Sequence, residues 1–476
     1  MNRRSFVQTV AGGAVAAGGA ASAGQGGGAR RPNFLFFMAD DLTYRSIHAW
    51  NNEEVRTPNL DRLVERGCAF THAFHNGAWD PAVCVPSRTM LNCGLTSFRA
   101  QRQLDSVPTW GQTLGNAGYQ TYIVGKWHLD ATVLQRSFQE MGPVGLGMFP
   151  STADAYDRPS PGNHWTPWDK SLKGHWIHTD LWLNRRVDEV DHTSVVWASQ
   201  AVDHLLNRAA KREQPFFMYV AFNAPHDPRQ SPREFVEMYP ASKIEIPPNY
   251  LPEHPFDQGD HRIRDEMLAP FPRTRAAVQL HRSEYYAILT HMDRQLGLVL
   301  DALERSGKAD NTYVILTADH GLAVGQHGLM GKQNMYDHSI RMPLLISGPG
   351  IARGRRVDEL VYQHSLFATT CELAGIPVPK TVEFPSMAGY LRGEGGAQHD
   401  AIFSYYRGFQ RAIRTKTHKL IVYPQVKVTQ LFDMEKDPWE MHNLAEDAGH
   451  AALRKELFAK LRQMQKEMDD PLELAG

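Results

Sequence analysis

The sequence predicts an α/β fold, a large and mostly parallel sheet sandwiched by helices with a smaller C-terminal α+β domain. Three observations predict it. Short apolar runs alternate with helical segments from residue 32 to 375, each run lacks the in-out alternation of a half-exposed strand, and the pattern changes after about residue 376.

The strand-like runs are Asn33 to Met38, Thr121 to Val124, Pro215 to Phe222, Thr312 to Thr317 and Pro343 to Ser347, rich in Val, Ile, Phe and Tyr. Between Ser283 and Ser306 the apolar positions Tyr286, Leu289, Met292, Leu296, Val299, Leu300 and Leu303 recur at helical spacing, with Ser283 as the expected cap. Ser365 to Ala374 also reads as helix. Beyond the Pro-containing Ile376 to Pro379, strand-like Arg411 to Tyr423 and Gln430 to Met434 precede a charged terminal helix. The expected division is a leader over 1–28, a catalytic domain over 32–375 and a C-terminal α+β subdomain over 376–476.

The 476 residues carry 51 basic and 52 acidic side chains, a formal net charge of -1, which provides no field for nucleic acid, so anion selectivity must be local. Cys68, Cys84, Cys93 and Cys371 form no CxxC pair, and neither a disulfide framework nor a thiolate zinc site is suggested. At the N-terminus, Arg3-Arg4-Ser5-Phe6-Val7 precedes an Ala/Gly stretch ending Ala21-Ser22-Ala23, a signal for the twin-arginine translocase with an AxA cleavage site. No cysteine follows before Cys68 and no later apolar run reaches about 18 residues, so a periplasmic or secreted protein without a stable membrane anchor is expected.

Four strand ends finish in reactive types: Asp40-Asp41, Lys126-Trp127-His128, Pro225-His226-Asp227 and Asp319-His320-Gly321. Ligands bind beyond the carboxyl ends of parallel strands. Adjacent carboxylates repel unless a cation lies between them, and Asp319 with His320 can complete its coordination. Three carboxylates favour Ca2+, while one imidazole also suits Mn2+ or another divalent ion. Lys126 and His128, two apart on a strand, are expected to face one ligand. Pro86 biases Val85 away from helix and suits a helix's first turn, placing Cys84 at a helix N-terminus, where anions are attracted. A cysteine phosphatase is excluded because its Cys-x5-Arg loop needs arginine at Met90.

Cys84-Val85-Pro86-Ser87-Arg88 and Gly125-Lys126-Trp127-His128 resemble the two motifs of the formylglycine-dependent (type I) sulfatases, within the alkaline phosphatase-like superfamily. The resemblance extends from Pro32-Asn33 through Thr57-Pro58-Asn59-Leu60-Asp61 to Leu431-Phe432-Asp433 and Asp437-Pro438. It implies that a formylglycine-generating maturation enzyme oxidises Cys84. Asp40, Asp41, Asp319 and His320 would be the metal ligands, with residue 84 also touching the ion; many members carry Asn at the position of His320. Arg88 and Lys126 would hold the formylglycine hydrate, His128 would handle its protons, and His226 and Lys332 would bind sulfate. His226, as a histidine near its natural pKa, would protonate the leaving oxygen.

The substrate expected is a sulfated small molecule or saccharide, with a carbohydrate sulfate favoured. The Pro/Gly-rich stretch Gly142 to Trp182 holds Trp165, Trp168, Trp176, Trp182, His164, His175 and His178, which could stack on sugar rings or pack the loop onto the domain. The competing readings are a phosphonate monoester or phosphodiester hydrolase of the same superfamily, and an inactive glycan-binding pseudoenzyme.

Overall fold

The computed structural model describes residues 30–146 and 192–474 apart from Pro228, Gln230 and Pro270. The leader over 1–28, and all seven Trp and His residues singled out between 142 and 182, lie outside the described residues.

Among the described residues eight strands form the main sheet: β1 (Asn33–Asp40), β2 (Cys68–Phe74), β3 (Gln120–Lys126), β4 (Glu140–Gly145), β5 (Phe216–Pro225), β6 (Thr312–Ala318), β7 (Arg341–Ser347) and β8 (Arg355–Tyr362). Their order is β4-β3-β5-β1-β6-β7-β2-β8. The sheet is mostly parallel, as expected, but β7, which contains the run from Pro343, is antiparallel to both β6 and β2.

Strand β1 shows why the central runs lack alternation. All eight of its residues are buried. Leu35, Phe37 and Ala39 enter the core on one face, and Phe34, Phe36 and Met38 enter the core on the other. The first face is covered by the helices Thr193–Asn207 and Arg275–Arg305, the second by Trp110–Asn116 and Leu366–Leu373. At roughly 2 kcal/mol for each large apolar side chain removed from water, this strand is a rigid base for the aspartates at its end.

The helix Arg275–Arg305 begins at Thr274, whose side chain accepts the Ala277 N–H, so Ser283 is not its cap. Ser283 is buried inside the helix and its hydroxyl donates to the Tyr239 carbonyl. Residues 411 to 423 form two strands rather than one run. They are the adjacent parts of a four-stranded antiparallel sheet, β9 (Ile402–Tyr406), β10 (Gln410–Arg414), β11 (His418–Tyr423) and β12 (Val428–Asp433). The terminal helix Ala451–Glu467 packs Leu457 and Leu461 into the core with Phe403, Leu420 and Leu431.

This second sheet supports loops of the site. Ala78 exchanges backbone hydrogen bonds with β9 and the following residue, through Tyr405 O (2.8 Å) and Arg407 N (2.7 Å). Gln410 Nε2 donates to Gln333 O at 3.0 Å. The segments leading into Cys84 and out of Lys332 therefore rest on one framework.

Candidate active site

Strands β3, β5, β1 and β6 lie side by side and end level: Gly125 pairs with Ala221, Asp40 with Pro225, and Ala39 with Ala318. Constrained backbone marks the ends of β1 and β3. Asp41 has φ +70°, held by Tyr285, whose hydroxyl donates to Asp41 O (2.7 Å) and accepts from Thr43 N (3.1 Å). Gly125 has φ +105°, and a Cβ there would stand 1.9 Å from Ala221 O, so only glycine lets β3 approach β5 this closely.

Lys126 is the last residue of β3, whereas His128 lies beyond it with φ +61°. Strand alternation therefore does not bring these two side chains together, as the spacing had suggested; a left-handed turn does. Cys84 is the first residue of the helix Cys84–Cys93, as expected. Val85 is nevertheless helical, so the bias imposed by Pro86 is overridden.

All ten residues predicted for the site come together. The Cys84 Sγ is 3.1 Å from His128 Nδ1 and 3.8 Å from Lys126 Nζ. Lys126 also pairs with Asp40. Arg88 Nε donates to Asp319 Oδ2 at 3.0 Å, and its Nη2 is 3.8 Å from Asp40 Oδ2. Lys332 Nζ donates to Asp41 Oδ1 at 2.9 Å, while His226 Nε2 is 3.8 Å from Asp41 Oδ2. His320 lies 3.3 Å from Asp41 Oδ1 through Nδ1 and 3.5 Å from Asp319 Oδ1 through Nε2.

Other residues hold this set, among them Ser87, which the Cys84–Arg88 motif contains but to which no role was given. Ser87 Oγ donates to Asp319 O (2.6 Å) and accepts from Gln363 Nε2 (2.8 Å), tying the Cys84 helix to the end of β6. Gln333, next to Lys332, was likewise given no role, and Asp265 and Tyr285 were missed because each lies in a segment where residue type alone marks nothing.

Burial pushes the Asp40 carboxyl up, but Lys126, His226 and Arg88 overcome it and hold it well below its ordinary value. Asp41 goes the other way, to about 6: burial and the charges of Asp40 and Asp319 outweigh His226 and Lys332. Burial, then Lys126 and Arg88, lowers His128 to about 3, leaving a neutral imidazole beside Cys84. His226 does not keep an ordinary pKa either, because burial lowers it despite Asp41. Its Nδ1 is 2.6 Å from Asp227 O. Away from the site, burial pushes the Cys93 and Cys371 thiols up to about 12, which makes them inert.

The donor set fits a hard cation. One ligand atom from each of Asp40, Cys84, Asp319 and His320 lies within 4.8 Å of the others, and Asp40, Asp41 and His226 form an overlapping group. Asp40 Oδ1, Asp41 Oδ2 and His320 Nε2 are buried yet make no hydrogen bond among the described residues, an arrangement that leaves lone pairs for an ion.

Carboxylates, ammonium groups and imidazoles thus converge at the ends of parallel strands, where α/β folds place their ligand sites. The chain belongs to the sulfatase family of the alkaline phosphatase-like superfamily: the Sulfatase family matches residues 32–376, and the N-sulphoglucosamine sulphohydrolase C-terminal family matches residues 325–467. It is a sulfuric ester hydrolase. A choline-sulfatase of Rhizobium meliloti is 29% identical, covering 88% of this chain and 83% of its own. An N-acetylglucosamine-6-O-sulfatase of Bacteroides thetaiotaomicron is 25% identical over 93% of this chain and 87% of its own.

Two solved structures share the fold. A protein in complex with its substrate D-glucosamine-2-N,6-O-disulfate matches with TM-score 0.71 and 24% identity, over 93% of this chain and 99% of the other. A phosphonate monoester hydrolase of Agrobacterium radiobacter matches with TM-score 0.73 and 20% identity, over 92% and 96%.

Proposed function

We propose that the protein desulfates a carbohydrate sulfate, using formylglycine made from Cys84 and a divalent cation, Ca2+ in the first instance, held by Asp40, Asp41, Asp319, His320 and residue 84. The observation that carries this reading is the Cys84 side chain at a helix start, 3.1 Å from a neutral imidazole and 3.8 Å from the Lys126 ammonium, beside buried carboxylates. The thiol stands in for the aldehyde. The substrate class rests on the N-acetylglucosamine-6-O-sulfatase relative and on the fold shared with the glucosamine-disulfate complex.

A hydrated aldehyde supplies a hydroxyl nucleophile, and the cation supplies Lewis-acid stabilisation of negative charge beside it. Lys126, Arg88, Lys332 and a divalent ion would set positive charge against a sulfate monoester and the charge developing on residue 84. Lys126 and Arg88 hold the residue 84 oxygens and Lys332 binds the sulfuryl group. Neutral His128 takes a proton from the residue 84 hydroxyl. His226 is lowered by burial in the free site, and the charge of a bound sulfate ester favours its protonated form, so it donates to the leaving oxygen from the substrate complex.

The mass of the Cys84-containing peptide from protein purified from its own host tests the nucleophile. Aldehyde or its hydrate is expected, and thiol alone overturns the reading. Matched aryl sulfate and aryl phosphonate esters then decide the chemistry: faster sulfate turnover is expected, and faster phosphonate turnover favours the phosphonate hydrolase alternative. A panel of sulfated saccharides and choline sulfate separates carbohydrate from small-molecule substrates.

We also propose that the twin-arginine translocase exports the folded, already modified enzyme to the periplasm or beyond. No helix among the described residues is long and apolar enough to cross a membrane. Blocking that route should retain active enzyme inside the cell; undiminished secretion sinks the idea.

A further inference from the structure

Lys332 is one of the cations expected to meet the sulfuryl group, yet its ammonium has two buried carboxylates beside it. Asp41 Oδ1 accepts from it at 2.9 Å, and Asp265 Oδ2 lies 3.9 Å away. Asp265 belongs to the connection between β5 and the helix Arg275–Arg305 and is 5% exposed. Its Oδ2 also accepts from Gln333 Nε2 (2.8 Å), and its Oδ1 accepts from Arg264 Nε (3.0 Å) and Nη2 (2.5 Å).

Its placement is enforced from both sides. The next residue, Glu266, accepts the N–H groups of Met330 (2.9 Å) and Gly331 (2.8 Å) and pairs with buried Arg273 at 2.5 Å. This staples the short turn Glu266–Leu268 to the loop that carries Lys332. Gly331 makes the approach sterically possible, since a Cβ there would meet Gln333 Oε1 at 2.5 Å, Asp265 Cβ at 2.9 Å and Glu266 Oε1 at 3.0 Å. Gln333 completes the clamp: its Oε1 accepts the Lys332 N–H (3.0 Å), while its Nε2 donates to Asp265 and to Pro81 O (2.9 Å), three residues before Cys84.

We propose that Asp265 is a positioning residue for desulfation, sharing the Lys332 ammonium with Asp41 and so keeping it presented to the sulfuryl oxygens instead of collapsed onto Asp41. The inference rests on the sulfatase reading of the site. An ammonium has three N–H donors and no preferred plane, so a single carboxylate does not fix its direction, whereas two do. Asp265 touches none of the reacting groups itself.

The test is a double-mutant cycle on the full-length, cation-loaded protein, made with its maturation enzyme, comparing wild type, Asp265→Asn, Lys332→Ala and the double variant. The readouts are kcat/KM for an aryl sulfate and the affinity for inorganic sulfate measured by calorimetry. With Lys332 present, Asp265→Asn should lower kcat/KM by about 10- to 100-fold and weaken sulfate binding by about tenfold; without Lys332 it should change either by less than about threefold.

Equal losses in both backgrounds, no loss in the first, or a wild-type protein that does not bind sulfate overturn the proposal. If Asp265→Asn does not fold, Asp265→Ser, which leaves room for a bridging water, takes its place in the same cycle. Wild-type turnover separates the two layers. An inactive wild type with coupled sulfate binding counts against desulfation of that ester and leaves Asp265 only as the partner that orients Lys332 toward a bound oxyanion, whereas an active wild type with additive losses refutes only the positioning role.

Discussion

Cys84→Ala is expected to reduce turnover of an aryl sulfate by at least about 10⁴-fold while sulfate binding changes by no more than a few-fold, because under the proposed function it removes the nucleophile and leaves Arg88, Lys126 and Lys332. The side chain of Cys84 reaches His128 and Lys126, and its burial in a ten-residue helix means alanine retains the helical first turn. Truncation of the small residue 84 side chain to a methyl group costs about 1 kcal/mol of stability, too little to unfold the chain. Arg88, Lys126 and Lys332 keep their carboxylate partners, so the cations that hold sulfate stay in place. Stopped turnover with an unchanged thermal transition is therefore the signature of a lost nucleophile. Turnover within tenfold of wild type would move the chemistry to another group.

The parts of this arrangement legible in the sequence are those where one residue type has one physical use. The runs ending at Asp40, Lys126, Pro225 and Ala318 are buried on both faces, and so stand out as continuous apolar segments ending in charge. β4 and β8 were missed for the converse reason, whereas β2 is an interior, almost wholly buried strand whose apolar run is interrupted by Thr71 and His72. β8 is an edge strand with charges at Arg355, Arg356, Asp358 and Glu359, and β4, at the other edge, contains Gly142 and Pro143. The turn at 415–417 between β10 and β11 contains no Gly, Asn or Pro, which is why two strands read as one. Asp265 was illegible because its meaning comes from Glu266 and Gly331 holding two distant loops together, a relation no local spacing records.

Chelation of the cation is expected to lower kcat/KM by at least about 10³-fold, roughly 4 kcal/mol of transition-state stabilisation, with Ca2+ restoring it. The structure adds a pH signature. In the ion-free site the Asp41 carboxyl is pushed up to about 6 by burial and by Asp40 and Asp319. Its folded pKa lies above the unfolded value of 3.8, so its contribution to stability is present below that value and is lost as pH rises through about 6. A divalent ion needs the carboxylate and displaces the proton. Apparent affinity should therefore fall about tenfold per pH unit below about 6 and level off above it, with proton release on the acidic limb alone, as read by calorimetry in buffers of differing ionisation heat. Asp41→Asn should abolish that proton release and weaken binding together. Tight binding that ignores pH between about 5 and 7 would mean that Asp41 is not a ligand. The cation would then have to use the Asp40, Cys84, Asp319 and His320 group, leaving Asp41 as the counter-charge of Lys332.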